Sequence, residues 1–162
     1  MSMLNQYGAL PYVVTDDGVL VCLITSRGSR RWVIPKGWPK PTHPGHEMAA
    51  REAREEAGLL GAIEAEPVGS YVYRKRLHMF ARVQCRVTVF PLLVETQLCM
   101  WPEKAERNLV WLPPRKAAKR VAEAELSQII LALPSRLASV AGLPVESSTS
   151  KPGSSGYSSS GM

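Results

Sequence analysis

Cysteine, histidine and phenylalanine are scarce in the 162 residues, at three, three and two copies. No uninterrupted apolar run is longer than Val19 to Ile24. A membrane-spanning helix needs ~20 such residues, so none is expected. Cys22, Cys85 and Cys99 lie far apart, and no Cys-x-x-Cys pair offers zinc or dithiol chemistry; reduced thiols are the expectation. The start, Met1-Ser2-Met3-Leu4-Asn5-Gln6, lacks the basic head, apolar stretch and small-residue cleavage site of a secretory signal, which favours a cytoplasmic setting. Positive charge, by contrast, is in excess: 20 Lys+Arg against 14 Asp+Glu give a formal +6. That excess points to an anionic partner without choosing among nucleic acid, membrane surface and phosphorylated metabolite. With 45% hydrophobic residues, the length fits one globular domain and excludes collagen-like, disulfide-scaffold and wholly disordered chains.

Gly142 to Met162 holds eight Ser, four Gly and two Pro in 21 residues, too little apolar surface to offset the entropy of ordering it. We expect residues 1–141 to form the domain and 142–162 a disordered tail. The tail carries one acid and one base, so the excess charge belongs to the domain. Within it, Tyr7 to Val14 and Val19 to Thr25 read as a hairpin around Asp16-Asp17-Gly18. A short strand over Arg31 to Ile34 stops at Pro35, and a Pro/Gly-rich loop runs to Gly45. Glu47 to Ala57 is a run of helix formers closed by Gly58, which suits a left-handed cap. Long strands over Gly69 to Arg76 and Ala81 to Val94, a short one over Leu109 to Leu112, and a helical region from Pro113 to Leu133 with Pro134 as its stop complete the pattern. Interleaved strands and helices without repeats predict an α/β fold with a mixed sheet.

On the predicted helix, Glu52, Glu55 and Glu56 share an arc of about 100°, while Ala49, Ala53, Ala57 and Leu60 gather on a neighbouring arc small enough to approach a sheet closely. Like charges at this spacing cost a few tenths of a kcal/mol each and raise one another's pKa when partly buried. Two readings follow: a solvated helix in which Arg51 pairs with Glu55, or hard oxygen donors for Mg²⁺ or Mn²⁺.

The full spacing favours the second. Gly37, Arg51-Glu52-x-x-Glu55-Glu56-x-Gly58-Leu59, with aliphatic Ala53 between, closely resembles the signature of the Nudix hydrolases. That family hydrolyses a nucleoside or other organic diphosphate linked to a further group. The resemblance implies a Nudix-type α/β/α sandwich with a mixed central sheet over roughly Tyr7 to Leu133. It implies Glu52, Glu55 and Glu56 as divalent-metal ligands, Glu55 or Glu56 as the group that orients or deprotonates the attacking water, and Arg51 as a brace for the cluster. Gly37 would let the loop approach the helix. Metal-assisted phosphoryl chemistry of this kind needs no covalent nucleophile. The sequence departs from the pattern at one position, where His43 stands in place of a Glu; either His43 is only a loop residue, or Glu47 reaches the cluster instead.

Basic residues crowd around this motif: Arg27, Arg30, Arg31 and Lys36 before it, Arg74-Lys75-Arg76, Arg82 and Arg86 after it. Arg27, Arg31, Lys36, Arg74 and Arg76 are the candidate substrate contacts, since Lys and Arg grip phosphate through charge-assisted hydrogen bonds. Ser26-Arg27, Trp32-Val33-Ile34-Pro35-Lys36-Gly37, Trp101-Pro102-Glu103, Glu106-Arg107 and Trp111 together resemble the bacterial branch related to diphosphoinositol polyphosphate phosphohydrolases. That implies a diphosphoinositol or diadenosine polyphosphate as substrate, with Glu103 a candidate additional acid. Trp101 and Trp111 are read either as base-stacking or as packing residues. The alternatives are an RNA 5′-end pyrophosphohydrolase and a non-catalytic nucleotide- or RNA-binding module. A phosphorylated small molecule is the expected partner, RNA the second choice, and no membrane partner is expected.

Overall fold

The computed structural model describes residues 3–140; the Ser/Gly-rich segment 142–162 expected to be disordered lies outside them. Strand β1 (Leu4–Thr15) folds back antiparallel on β2 (Gly18–Thr25), with Val14 opposite Val19. β3 (Trp32–Val33) extends β2, and β4 (Lys36–Gly37) pairs with β1 at Tyr7 and Gly8. Helix α1 (Gly45–Ala57) leads into β5 (Leu59–Ile63). β6 (Gly69–His78) and β7 (Ala81–Gln97) form the long hairpin. A single 3₁₀ turn at Lys104–Glu106 precedes β8 (Leu109–Leu112), which pairs with β2, and α2 (Pro114–Arg120) and α3 (Ala124–Val140) end the chain.

The strands form one eight-stranded sheet whose backbone order is β3-β2-β1-β7-β5. β1 and β7 run parallel and the other strand pairs antiparallel, so the sheet is mixed, as expected. Side chains that alternate along the strands feed two cores. Leu10, Val21, Leu23 and Val87 face α2 and α3, where Ala117, Leu126, Ile130 and Leu133 meet them. Ala9, Cys22, Ile24 and Leu92 face α1, which presents Ala49, Ala53 and Ala57. Each fully buried Leu or Ile contributes about 1.5–3 kcal/mol. The alanine stripe keeps the helix axis close to the sheet, and that closeness carries the acidic face of α1 to the sheet's edge.

Several expectations about elements need correction. Leu60 belongs to β5, a strand the sequence pattern did not suggest, and lies outside the helical stripe. The helical region from Pro113 is two helices. Val121 between them is extended and bridges to Trp32, which is incompatible with continuing the helix. Pro134 sits inside α3 and does not stop it. A proline removes one intrahelical hydrogen bond, but the turn beyond it is held by Leu137 against the core and by Arg136, which donates to the carbonyls of Glu66 and Pro67 at 3.2 Å each. The cap on α1 is as predicted: Gly58 has φ 65° and ψ 27°, and its N–H donates to Arg54 O.

Candidate functional site

α1 delivers its three glutamates unequally. Glu56 is 7% exposed, and its Oε2 accepts from the backbone N–H of Lys36 at 3.4 Å. Glu52 is half-buried with its carboxyl group pressed on Gly37, where an added Cβ would lie 2.3 Å from the carboxyl carbon. This is the close approach expected of Gly37. Glu55 turns the other way and accepts from Arg51 Nε at 3.0 Å. Glu52 and Glu56 therefore face one cavity, while Glu55 and Arg51 pair outside its lining. Among the described residues no three His, Cys, Asp or Glu side chains converge as a metal-binding group. Bringing Glu55 to the other two requires its side chain to leave Arg51.

The fourth acid comes from the loop before β8. Glu103 N–H donates to Glu55 O, and Trp101 Nε1 donates to Glu56 O at 3.2 Å, so this loop is tied to the last turn of α1. Trp101 also fills the space over Gly58, where a Cβ would meet its ring at 2.4 Å. Trp101 is thus a packing residue, and Trp111 lies against the α1-side core. The tie brings Glu103 into the cavity lining. Between Glu103 and Glu56 lies Arg107, 7% exposed, with Nη2 at 2.9 Å from the first and 3.3 Å from the second, while Nη1 donates to Thr25 O at 3.1 Å. Arg107 had appeared in the sequence only as part of a short motif. It offsets the charge of two carboxylates, the buried Glu56 and the partly buried Glu103.

The cavity measures about 1110 Å³. Arg27, Arg31, Lys36, Arg74 and Arg76, the candidate substrate contacts, all line it, and Lys75, Arg82 and Arg107 join them. Arg27 reaches Glu103 and Glu106, and Arg31 reaches Glu123. Ser26 shapes their loop: its Oγ accepts from Arg31 N–H at 3.0 Å. Lys36, Arg74, Lys75, Arg76 and Arg82 have no carboxylate at salt-bridging distance among the described residues. Lys36 Nζ lies 4.9 Å over the ring of Tyr73, whose hydroxyl donates to Gln6 Oε1 at 2.5 Å. Burial lowers the Lys36 ammonium to about 8 against the pull of Glu56. His43 is an exposed loop residue bonded to Thr42 Oγ1, and Glu47 is exposed; neither lines the cavity. Arg30 and Arg86 also lie outside the lining.

Burial, reinforced by Glu55 and Glu103, raises Glu52 to about 7. Burial likewise raises Glu56 to about 7, although Arg107 and Lys36 oppose it. Glu52, which has no cation at salt-bridging distance among the described residues, lines the cavity beside Glu56, and carboxylate oxygens are the hard donors that a divalent cation takes. The raised values have a consequence for stability. The folded chain holds protons here that the unfolded chain, near the ordinary 4.5, releases, so this contribution is full below about 4.5 and is lost as pH rises through about 7. The cation-free protein will melt at lower temperature at pH 8 than at pH 5, by ~2–4 °C for each kcal/mol. A divalent cation held by these carboxylates would raise the midpoint more at pH 8 than at pH 5, because it would bind their ionised form in the folded state. The comparison is with Glu52→Gln/Glu56→Gln; a double variant that keeps the same pH dependence would remove these two groups as its source.

Gly37 gives a second expectation. An added methyl group displaces only the free end of Glu52, so Gly37→Ala will keep its melting temperature within a few degrees, and if Glu52 serves a reaction in this cavity it will lose roughly tenfold or more in turnover, as misplaced catalytic groups do. A variant as active as the parent would mean that the position of Glu52 is unimportant.

No family model matches the chain. Nudix hydrolase 17 (mitochondrial) of Arabidopsis thaliana is 30% identical over 149 residues, covering 88% of this chain and 80% of the relative. Nudix hydrolase 18 (mitochondrial) of the same plant is 27% identical, covering 90% and 84%. The chain therefore belongs to the Nudix hydrolases, enzymes that act on pyrophosphate bonds and generally use a divalent metal. Solved structures agree on the fold. A C. elegans Ap4A hydrolase in a binary complex superposes with a TM-score of 0.63 at 18% identity, covering 85% of this chain and 99% of that one. The NUDIX domain of Shewanella oneidensis NrtR complexed with ADP ribose gives 0.61 at 18% identity, covering 85% and 90%.

Proposed function

We propose that this protein is a Mg²⁺-dependent hydrolase, with Mn²⁺ as substitute, of a diphosphate linkage in a polyphosphorylated small metabolite. Diphosphoinositol polyphosphates and diadenosine polyphosphates are the first candidates. One observation carries the reading: the cavity is lined by the signature acids Glu52 and Glu56 and by five cations that have no carboxylate at salt-bridging distance among the described residues. So many unpaired positive groups match a substrate with several phosphates better than one with a single diphosphate. The superposition on a C. elegans Ap4A hydrolase supports the same substrate range.

Glu52, Glu55 and Glu56 would hold the cation, which supplies charge neutralisation at phosphorus and acidifies a bound water. Arg51, which pairs with Glu55 Oε1 at 3.0 Å, braces that carboxylate until the cation draws it in. Glu56 or Glu55 takes the proton of the attacking water, with Glu103 as an additional acid. Arg27, Arg31, Lys36, Arg74 and Arg76 orient the phosphates and stabilise the charge that develops on them. We place this activity in the cytoplasm.

The test is product release from a panel of diphosphoinositol polyphosphates, diadenosine polyphosphates, ADP-ribose, nucleoside triphosphates and 5′-triphosphorylated RNA, with Mg²⁺ and with chelator. Chelator-sensitive turnover is expected to be fastest on one of the first two groups. Preference for the RNA would replace this reading with RNA 5′-end processing, and silence across the panel from folded protein would favour a nucleotide-binding role.

A further inference from the structure

The hairpin of β6 and β7 continues past the rest of the sheet. β1 pairs with β7 only from Cys85 onward, so Arg74 to His78 and Ala81 to Gln84 pair solely with each other. This two-stranded ribbon ends in Leu77, Met79 and Phe80, which are 51%, 72% and 89% exposed. Isolated exposed apolar residues are ordinary, but three at one projecting tip form a contiguous patch that signals a partner.

The charge below the tip is of one sign. No Asp or Glu occurs from residue 67 to residue 94, whereas Arg74, Lys75, Arg76, Arg82 and Arg86 all lie in that span. None of the five reaches a carboxylate among the described residues. Arg76 stands opposite Arg82 across the ribbon, a like-charge pairing that isolated hairpins avoid. At the flank of the ribbon, Trp38 is 41% exposed and Lys75 Nζ lies 5.7 Å from its ring centre.

We infer that this hairpin docks the protein on an anionic lipid surface, with Leu77, Met79 and Phe80 entering the acyl boundary and Lys75, Arg82 and Arg86 at phosphate level. An apolar edge with cations one step behind it is the arrangement that binds the interface of acidic membranes, and a Trp at the same level suits the headgroup zone. Leu and Met distinguish this partner from single-stranded nucleic acid, because neither side chain has a face on which a base stacks. An acid-free ribbon also has no complement in a second copy of itself. The expectation of no membrane partner rested on the lack of a spanning segment, and a peripheral tip of Leu77, Met79 and Phe80 needs none.

The experiment is flotation of the full chain with phosphatidylcholine vesicles, with and without phosphatidylserine, at low and high salt. Binding is expected only with phosphatidylserine and is expected to fall with salt. Met79→Asp/Phe80→Asp should weaken it at least about tenfold, Met79→Leu/Phe80→Leu should preserve it, and Arg82→Gln should weaken it roughly fivefold. Each variant's melting temperature reports its fold, since the tip lies outside both cores. Absence of binding, equal binding to neutral vesicles, or undiminished binding by a folded Met79→Asp/Phe80→Asp protein would each overturn the inference. Single-stranded RNA binding that is lost in that variant while vesicles are ignored would overturn it in favour of a nucleic-acid surface.

Discussion

Replacing Glu56 by Gln is expected to reduce metal-dependent turnover by about two to four orders of magnitude while the protein stays folded. Glutamine matches the shape of the side chain and keeps an oxygen for the Lys36 N–H, now 3.4 Å from Oε2. In the proposed mechanism it removes the charge that would hold a cation and the basicity that would accept a proton. Glu47→Gln, on the exposed side of the first turn and outside the cavity lining, serves as the control and should retain turnover. The measurement is kcat/KM for the best substrate of the panel under saturating Mg²⁺, beside a melting curve of each variant. Turnover within threefold of the parent would show that the chemistry lies elsewhere.

The largest loss of stability is expected at Arg107. Its guanidinium separates Glu56 from Glu103 and holds the carbonyl of Thr25. Arg107→Met keeps most of the volume but leaves two enclosed carboxylates facing each other with Glu52 nearby. Breaking a buried ion pair from one side costs about 3–5 kcal/mol, or ~10 °C in melting temperature for a domain of this size. Protonation of the freed carboxylates limits the loss at low pH, so the gap between variant and parent will widen from pH 5 to pH 8. Mg²⁺ should recover part of it, because a cation compensates the same charges. Melting curves at both pH values, with chelator and with Mg²⁺, decide the matter; a loss under about 1 kcal/mol at pH 8 would mean that the acids are neutralised by other groups.

The signature helix was legible in the sequence because its functional residues lie within one element. Spacing alone places Glu52, Glu55 and Glu56 on one arc, and Gly58 marks the helix end. The division of labour among those glutamates was not legible. Whether a carboxylate faces the cavity or an arginine depends on β4 behind Glu52 and on the loop from Trp101, both distant in sequence. Gln6 and Tyr73 carried no signal for the same reason, and Arg107 none beyond its short motif, since only the folded chain brings them beside Lys36 and Glu56. β5 was missed because Leu59-Leu60-Gly61-Ala62-Ile63 is short and interrupted by glycine, and its strand conformation is imposed by pairing with β7. Pro134 was a sound stop signal locally, overridden by the apolar contacts of α3 on both sides of it.

The parallel pairing of β1 with β7 also sets the timing of assembly. Leu4 is matched with Cys85 and Tyr12 with Leu93, so the central seam of the sheet joins the start of the chain to a segment far downstream. A ribosome adding about 5–20 residues per second releases β1 and β2 several seconds before their inner neighbour exists. For that interval the nascent hairpin offers an unpaired edge and an uncovered apolar face. Pairings of such long sequence separation close slowly, and α1 acquires its full docking surface only when the seam closes. The glutamates are therefore synthesised early and brought into working position late, and the period before β7 emerges is the time at which the apolar faces of β1 and β2 are least covered.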